Sequence, residues 1–240
     1  EGLQKSPLKA TEQFAAAAEA GLPAGQFRYG LAKLKGEGTK EDSKGGVDWL
    51  AKAAESGSAD AMFQLGLLNA TGQFGFTKSA ALAADWFKKA GYQGNVLGQS
   101  ELAGYYLEGK GVMQDKVAAV AWYSLAAKGG LASAQVELGT LFSLGAGTEQ
   151  DFGLAGFWFE KAAQQGNPVA MLKMGRLLEN GLGGDRNVVG AYALYLQASE
   201  FYEGAVKDRE RLKATLTAAQ ISEASEALKL ANEGKAAAGE

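Results

Sequence analysis

Few residues in this chain could do covalent chemistry. Its 240 residues include no His and no Cys. That closes off the Ser–His triad, thiol nucleophiles and His/Cys zinc sites. Ser6-Pro7-Leu8-Lys9 has the Ser-x-x-Lys spacing in which a lysine can activate a serine. Its usual companions, Ser-Asp-Asn and Lys-Thr-Gly, are missing, so it reads as a chance match. A hydrolase of cell-wall or carbohydrate substrate would need two Asp/Glu carboxylates converging about 5–9 Å apart in a cleft. It is one alternative to a binding protein.

The turns "GKGVMQD" (109–115) and "GAGTEQD" (145–151) could be taken for phosphate cradles or calcium loops. Neither ends in the Gly-Lys-Ser that usually marks a phosphate cradle, and each has too few carboxylates for calcium. A helix–helix turn closed by a capping Asp explains both. Asn69-Ala70-Thr71 is formally a glycosylation acceptor, but Asn69 falls in an inward slot of the pattern below and reads as core. No catalytic residue, cofactor or metal site is expected.

The formal charge of −3 offers no basic field for nucleic acid. The charged stretch 207–213, "KDRERLK", alternates signs as a solvated helix face does. No apolar run reaches the roughly 18 residues of a membrane span, so no integral membrane segment is expected. The chain opens on "EGLQKSPLK" without Met. Removal of an export segment or a trimmed start would account for this; the first is favoured slightly, so a periplasmic or secreted location is expected, with a cytoplasmic one left open. Gly is in excess, 34 residues against 3 Pro, so the glycines must be positional rather than part of a linker.

That position is periodic. Trp49, Trp86, Trp122 and Trp158 are 37, 36 and 36 residues apart. A large apolar residue follows each: Leu50, Phe87, Tyr123, Phe159. Ala53, Ala90, Ala126 and Ala162 stand four residues past each Trp, and Gly57, Gly94, Gly130 and Gly166 eight past. Asp42, Ser79, Asp115 and Asp151 stand seven before, which suits a helix N-cap. Each such stretch predicts a helix of about 14 residues, capped at its start and closed by Gly. A second helix per unit carries a small slot at Gly30, Gly66, Ala103, Gly139 and Gly175. A Gly inside a helix costs about 1 kcal/mol relative to Ala, so its return predicts close approach of a neighbouring helix. The Trp stripe is expected to be inter-repeat core. The one extra residue of the 37-residue unit falls between Gly72 and Ser79, in a turn.

These residues resemble the Sel-one-like repeat, a relative of the tetratricopeptide repeat with a longer internal turn. The closest stretches are 102–130, "LAGYYLEGKGVMQDKVAAVAWYSLAAKGG", and 138–167. Asn69 and Lys33 depart from the pattern in the aromatic slot of the first helix, and Leu194 departs in the Trp slot. The resemblance implies an all-α, right-handed α/α superhelical solenoid. Residues 1–23 form an N-terminal half-repeat helix and 24–205 form five repeats (24–58, 59–95, 96–131, 132–167, 168–205). A capping helix and tail occupy 206–240, where Thr217 and Gln220 form a capping box.

The resemblance also implies a non-catalytic protein–protein adaptor, often in bacterial envelope regulation or assembly. By analogy with tetratricopeptide repeats, the first helix of each unit would line a concave face that takes a protein or peptide partner. Phe27, Leu31, Leu34, Phe63, Leu67, Leu97, Leu107 and Val136 are the expected binding residues, with an apolar helix or segment as ligand. Self-association through the N-terminal half-repeat is the other alternative.

Overall fold

The computed structural model describes residues 6–238, and among them lie thirteen α-helices, one short 3-10 turn (Glu203–Ala205) and no strand. α1 (Pro7–Glu19) precedes five helical hairpins: α2 (Pro23–Lys35) with α3 (Ser43–Glu55), α4 (Ala59–Thr71) with α5 (Ala80–Tyr92), α6 (Val96–Glu108) with α7 (Lys116–Lys128), α8 (Ala132–Leu144) with α9 (Phe152–Gln164), and α10 (Pro168–Asn180) with α11 (Val188–Ala198). α12 (Val206–Lys213) and α13 (Ala218–Ala238) follow. We call the members of each hairpin helix A and helix B, and number the repeats from 1 to 5. The chain divides into two compact units, Glu1–Leu125 and Ala126–Glu240. The fold is all-α and of the α/α-solenoid class.

Local chemistry sets the hairpin ends. Asp42, Ser79, Asp115, Asp151 and Asn187 each accept a hydrogen bond from the backbone N–H three residues on, at the start of helix B. The backbone N–H of each of these caps also donates to a helix A carbonyl: Lys33, Asn69, Tyr106, Phe142 and Leu178, at 2.8–2.9 Å. This bond is the common clasp of the hairpin. Helix A of repeats 2, 3 and 5 has a cap of its own in Ser58, Asn95 and Asn167. At the far end of helix A, Gly72 (φ 76°) and Gly109 (φ 71°) hold the left-handed conformation that stops the helix.

The small slot of helix A meets the residue after Trp, within the same hairpin. A Cβ on Gly66 would stand 2.5 Å from Phe87 Cε1, on Gly139 2.7 Å from Phe159 Cε1, and on Gly175 2.5 Å from Tyr195 Cε1. Helices that approach this closely exclude even a methyl group. Phe87 and Leu50 are fully buried in consequence.

The tryptophans themselves are a partial correction, because all four are half-buried rather than core. Trp86 packs against the cluster that joins Leu50 and Ala54 of the preceding hairpin to Ala61 of its own, and Trp122 against the Phe87 cluster. The ring of Trp122 is 5.1 Å from that of Tyr92. Lys52 and Lys89 cover the outer faces of Trp49 and Trp86 at 4.2 and 4.3 Å. These rings seal seam edges, and the residue that follows each Trp fills the hairpin.

At the C-terminal end, Leu212, Ala224, Leu216 and Ile221 of the last two helices and their linker pack on Ala191, Tyr192 and Tyr195 of α11. Thr217 and Gln220 form the expected capping box at the start of α13.

Candidate binding site

Helix A side chains form the first candidate surface. Of the eight expected positions, Leu97 is exposed (45 %), while Phe27, Leu31, Phe63, Leu67 and Leu107 are half-buried. Leu34 (2 %) and Val136 (6 %) are core side chains and offer no surface. Leu34 closes over Gly46 of α3, where a Cβ would strike its side chain, and Val136 packs with Ala162 and Ala170. Phe27 and Leu31 lean on the Leu50 cluster, and Phe63 on the Phe87 ring at 5.7 Å. These residues have one side in the seam and the other toward solvent. The caps tie neighbouring A helices together, since Asn95 Nδ2 donates to Asp60 Oδ1 at 2.9 Å.

In repeat 5 the chain covers the corresponding positions itself. Arg176 donates to Asp208 of α12 at 2.7 and 2.9 Å, and Arg211 of α12 donates to both Glu179 and Asp208. Tyr195 Oη also donates to Glu179, at 2.9 Å. The stretch 207–213 is therefore a staple between α12 and α10, not only a solvated face.

The hydrogen bond from Arg211 holds the Glu179 carboxyl below its ordinary pKa against the effect of burial. Burial acts to raise Asp208, but Arg176 and Arg211 outweigh it and its pKa is also lowered. Burial and the bond to Glu179 push the Tyr195 phenol up. Two carboxylates meet here, but both are held ionised, whereas a glycosidase acid needs a raised pKa. The pair ties α12 to α10 through Arg176 and Arg211.

The second candidate surface lies at the seams, beside the start of helix B. A cleft of about 740 Å³ separates the start of α3 from the repeat 2 turn. Its walls include Ser43, Val47, Phe74, Phe76 and Leu82, with Asn69 at the floor. A register-equivalent cleft of about 310 Å³ separates the start of α9 from the repeat 5 turn, with Gly156 in the place of Val47 and Leu178 in the place of Asn69.

In repeats 3 and 5 the turn closes down on the preceding helix B, and a Cβ on Gly111 would collide with the Ala80 backbone and one on Gly183 with the Phe152 backbone. The repeat 2 turn has Phe74 in that slot, with a positive φ of 53°, and then Gly75, which has nothing within 4 Å of a notional Cβ. The clasp from Ser79 to Asn69 is intact at 2.8 Å, so the extra residue is extruded without opening the hairpin. The insertion and the departure at Asn69 are both visible in the sequence, but their meeting in one cleft is not.

Asn69 itself is 4 % exposed, and its Nδ2 donates to the Leu65 carbonyl at 2.8 Å, as its reading as a core position requires. Ser6 and Lys9 are both exposed at the start of α1. No group of three or more metal-ligating side chains occurs among the described residues, and no described helix is long and apolar enough to cross a membrane.

The Sel1 repeat family model matches residues 23–58, 59–95, 96–131, 132–167 and 168–200. The chain belongs to the Sel1 repeat family. Sel1 repeats are generally protein–protein interaction modules. Among solved structures, the chain is similar to a protective antigen of uropathogenic Escherichia coli strains displaying an SLR fold. The two are 34 % identical with a TM-score of 0.75, over 79 % of this chain and 40 % of that one. It is also similar to a Sel1 repeat protein from Oxalobacter formigenes, at 26 % identity and a TM-score of 0.73 over 80 % and 81 % of the two chains. Among curated proteins it is similar to chitin synthase regulatory factor 3 of Schizosaccharomyces pombe, 30 % identical over 89 residues. That stretch is 37 % of this chain and 10 % of the yeast protein, so the chain matches about a tenth of that relative's length.

Proposed function

We propose that this Sel1 chain is a non-catalytic adaptor that binds an apolar helix or extended segment of a partner protein on the helix A face of its first unit. The observation that carries the reading is the row of half-buried apolar side chains Phe27, Leu31, Phe63 and Leu67, continued by the exposed Leu97. A row with one side in the seam is rigid before a partner arrives, which lowers the ordering cost of binding. We further propose a bacterial, exported setting in envelope regulation or assembly; the protective antigen to which the chain is similar comes from a bacterium. The similarity to a chitin synthase regulatory factor supports a regulatory rather than a catalytic task.

Leu97→Asp is the informative variant, because Leu97 is exposed, whereas Phe63 also packs on the Phe87 cluster and its loss would disturb the fold. It is expected to weaken the native partner, measured by calorimetry, by about tenfold or more while leaving the melting temperature unchanged. Unchanged affinity in well-folded protein removes this face from the account.

A further inference from the structure

We propose that the repeat 2 cleft is a socket for the phenol ring of a tyrosine presented by a partner polypeptide. The slot three residues past the small residue of helix A holds Asn69 in repeat 2 and Tyr106 in repeat 3. In repeat 3, Tyr106 packs against the cluster of Ala84, Phe87 and Leu102, and so do Ala80 at the start of the preceding helix B and Val112 of the turn. The matching walls in repeat 2 are Ser43, Val47 and Phe76, and the ring between them is missing. The space that one repeat fills with its own tyrosine is left open in its neighbour.

The chemistry of the lining suits the same occupant. Val47, Phe74, Phe76 and Leu82 offer apolar walls, and ring-on-ring contacts favour an aromatic occupant over an aliphatic one. Lys44 and Asp48 both line the mouth one helical turn apart, so it has no net charge and suits a neutral group. At the floor, Asn69 uses one N–H on Leu65, and its Oδ1 has no partner among the described residues. That oxygen can accept from a phenolic O–H. Neither Leu97 nor the rest of the helix A face takes part, so the socket stands or falls apart from the adaptor surface proposed above.

The test is a titration of the isotope-labelled full chain with N-acetyl-L-tyrosinamide, followed by NMR. Saturable shifts are expected at the Gly75 and Thr77 backbone amides and the Asn69 side-chain amide, with Gly111 in the repeat 3 turn unmoved. The phenylalanine analogue should bind about fivefold more weakly for want of one hydrogen bond, and the leucine analogue more weakly still. Asn69→Tyr, which supplies the chain's own ring, should abolish binding with the fold intact. Asn69→Leu should keep the aromatic preference and lose the difference between the tyrosine and phenylalanine probes. Leu97→Asp should bind the probe as wild type does. The proposal is overturned if Gly75 and Thr77 do not respond, if the leucine probe binds as well as tyrosine, or if folded Asn69→Tyr binds like wild type.

Discussion

Repeats 2 and 3 are adjacent copies of one hairpin, and they differ most where helix A hands over to helix B. Repeat 3 presses Gly111 of its turn onto the Ala80 backbone and packs Tyr106 against the Ala84 and Phe87 cluster. Repeat 2 keeps the same clasp but pushes Phe74 and Gly75 outward, and has Asn69 where the ring would be. The hairpin tolerates this because its stability lies elsewhere, in the contact of Phe87 with Gly66 and the Leu102 and Tyr105 cluster. A repeat array can therefore vary its turns freely, and a vacancy there becomes surface chemistry without loss of fold.

The largest expected effect breaks what the two repeats share. Phe87 is fully buried and closes repeat 2 while packing on Tyr105 of repeat 3 at 5.3 Å. Phe87→Ala should lower the unfolding free energy by about 3–5 kcal/mol in denaturant titration. A loss under about 1 kcal/mol would mean that this ring does not hold the hairpin.

A second variant removes the difference by opening repeat 3. Tyr106 is half-buried, and Tyr106→Asn should cost roughly 2 kcal/mol. It should also make the Gly111 amide respond to N-acetyl-L-tyrosinamide. A stable Tyr106→Asn protein with a silent Gly111 would show that register alone does not make the cleft.

Acid sharpens the comparison, because the vacancy is a matter of packing whereas the cover over repeat 5 is ionic. Glu179 and Asp208 have lowered pKa values, so the stability they contribute is present above their unfolded values. It is lost as pH falls through the lower folded ones. Hydrogen-exchange protection of α12 should therefore decline below roughly pH 4, while the spectrum of the repeat 2 turn at neutral pH is retained. Simultaneous loss in both regions would argue against separate origins.

The parts of this fold legible in the sequence are those that obey local rules. Asp42, Ser79, Asp115 and Asp151 cap because the cap bond reaches only three residues. The small slots at Gly66, Gly139 and Gly175 are legible because only close approach explains a repeated helix glycine. The roles of Trp86 and Phe87 are harder to assign, since adjacent residues point about 100° apart on a helix and both are apolar. The pattern places both in the interior, but only Phe87 is fully buried, against Gly66 of its hairpin partner.

Leu34 and Val136 read as surface by analogy of register and prove to be core, because the inward face of helix A is wider than that register implies. The staple from Arg211 to Glu179 spans 32 residues and has no periodic signal. The cleft is least legible of all. Asn69 and the extra turn residue look like two imperfections until geometry puts them side by side.

The smallest expected effect bears most directly on the central claim, that repeat 2 lacks a ring which its neighbour has. The unfolding free energy of Asn69→Tyr, measured without any ligand, should rise by about 1 kcal/mol as the new ring buries apolar surface in existing space. If that space is not ring-shaped, the side chain will be forced into a packed seam, and the variant will instead lose about 1–3 kcal/mol as overpacked cores do.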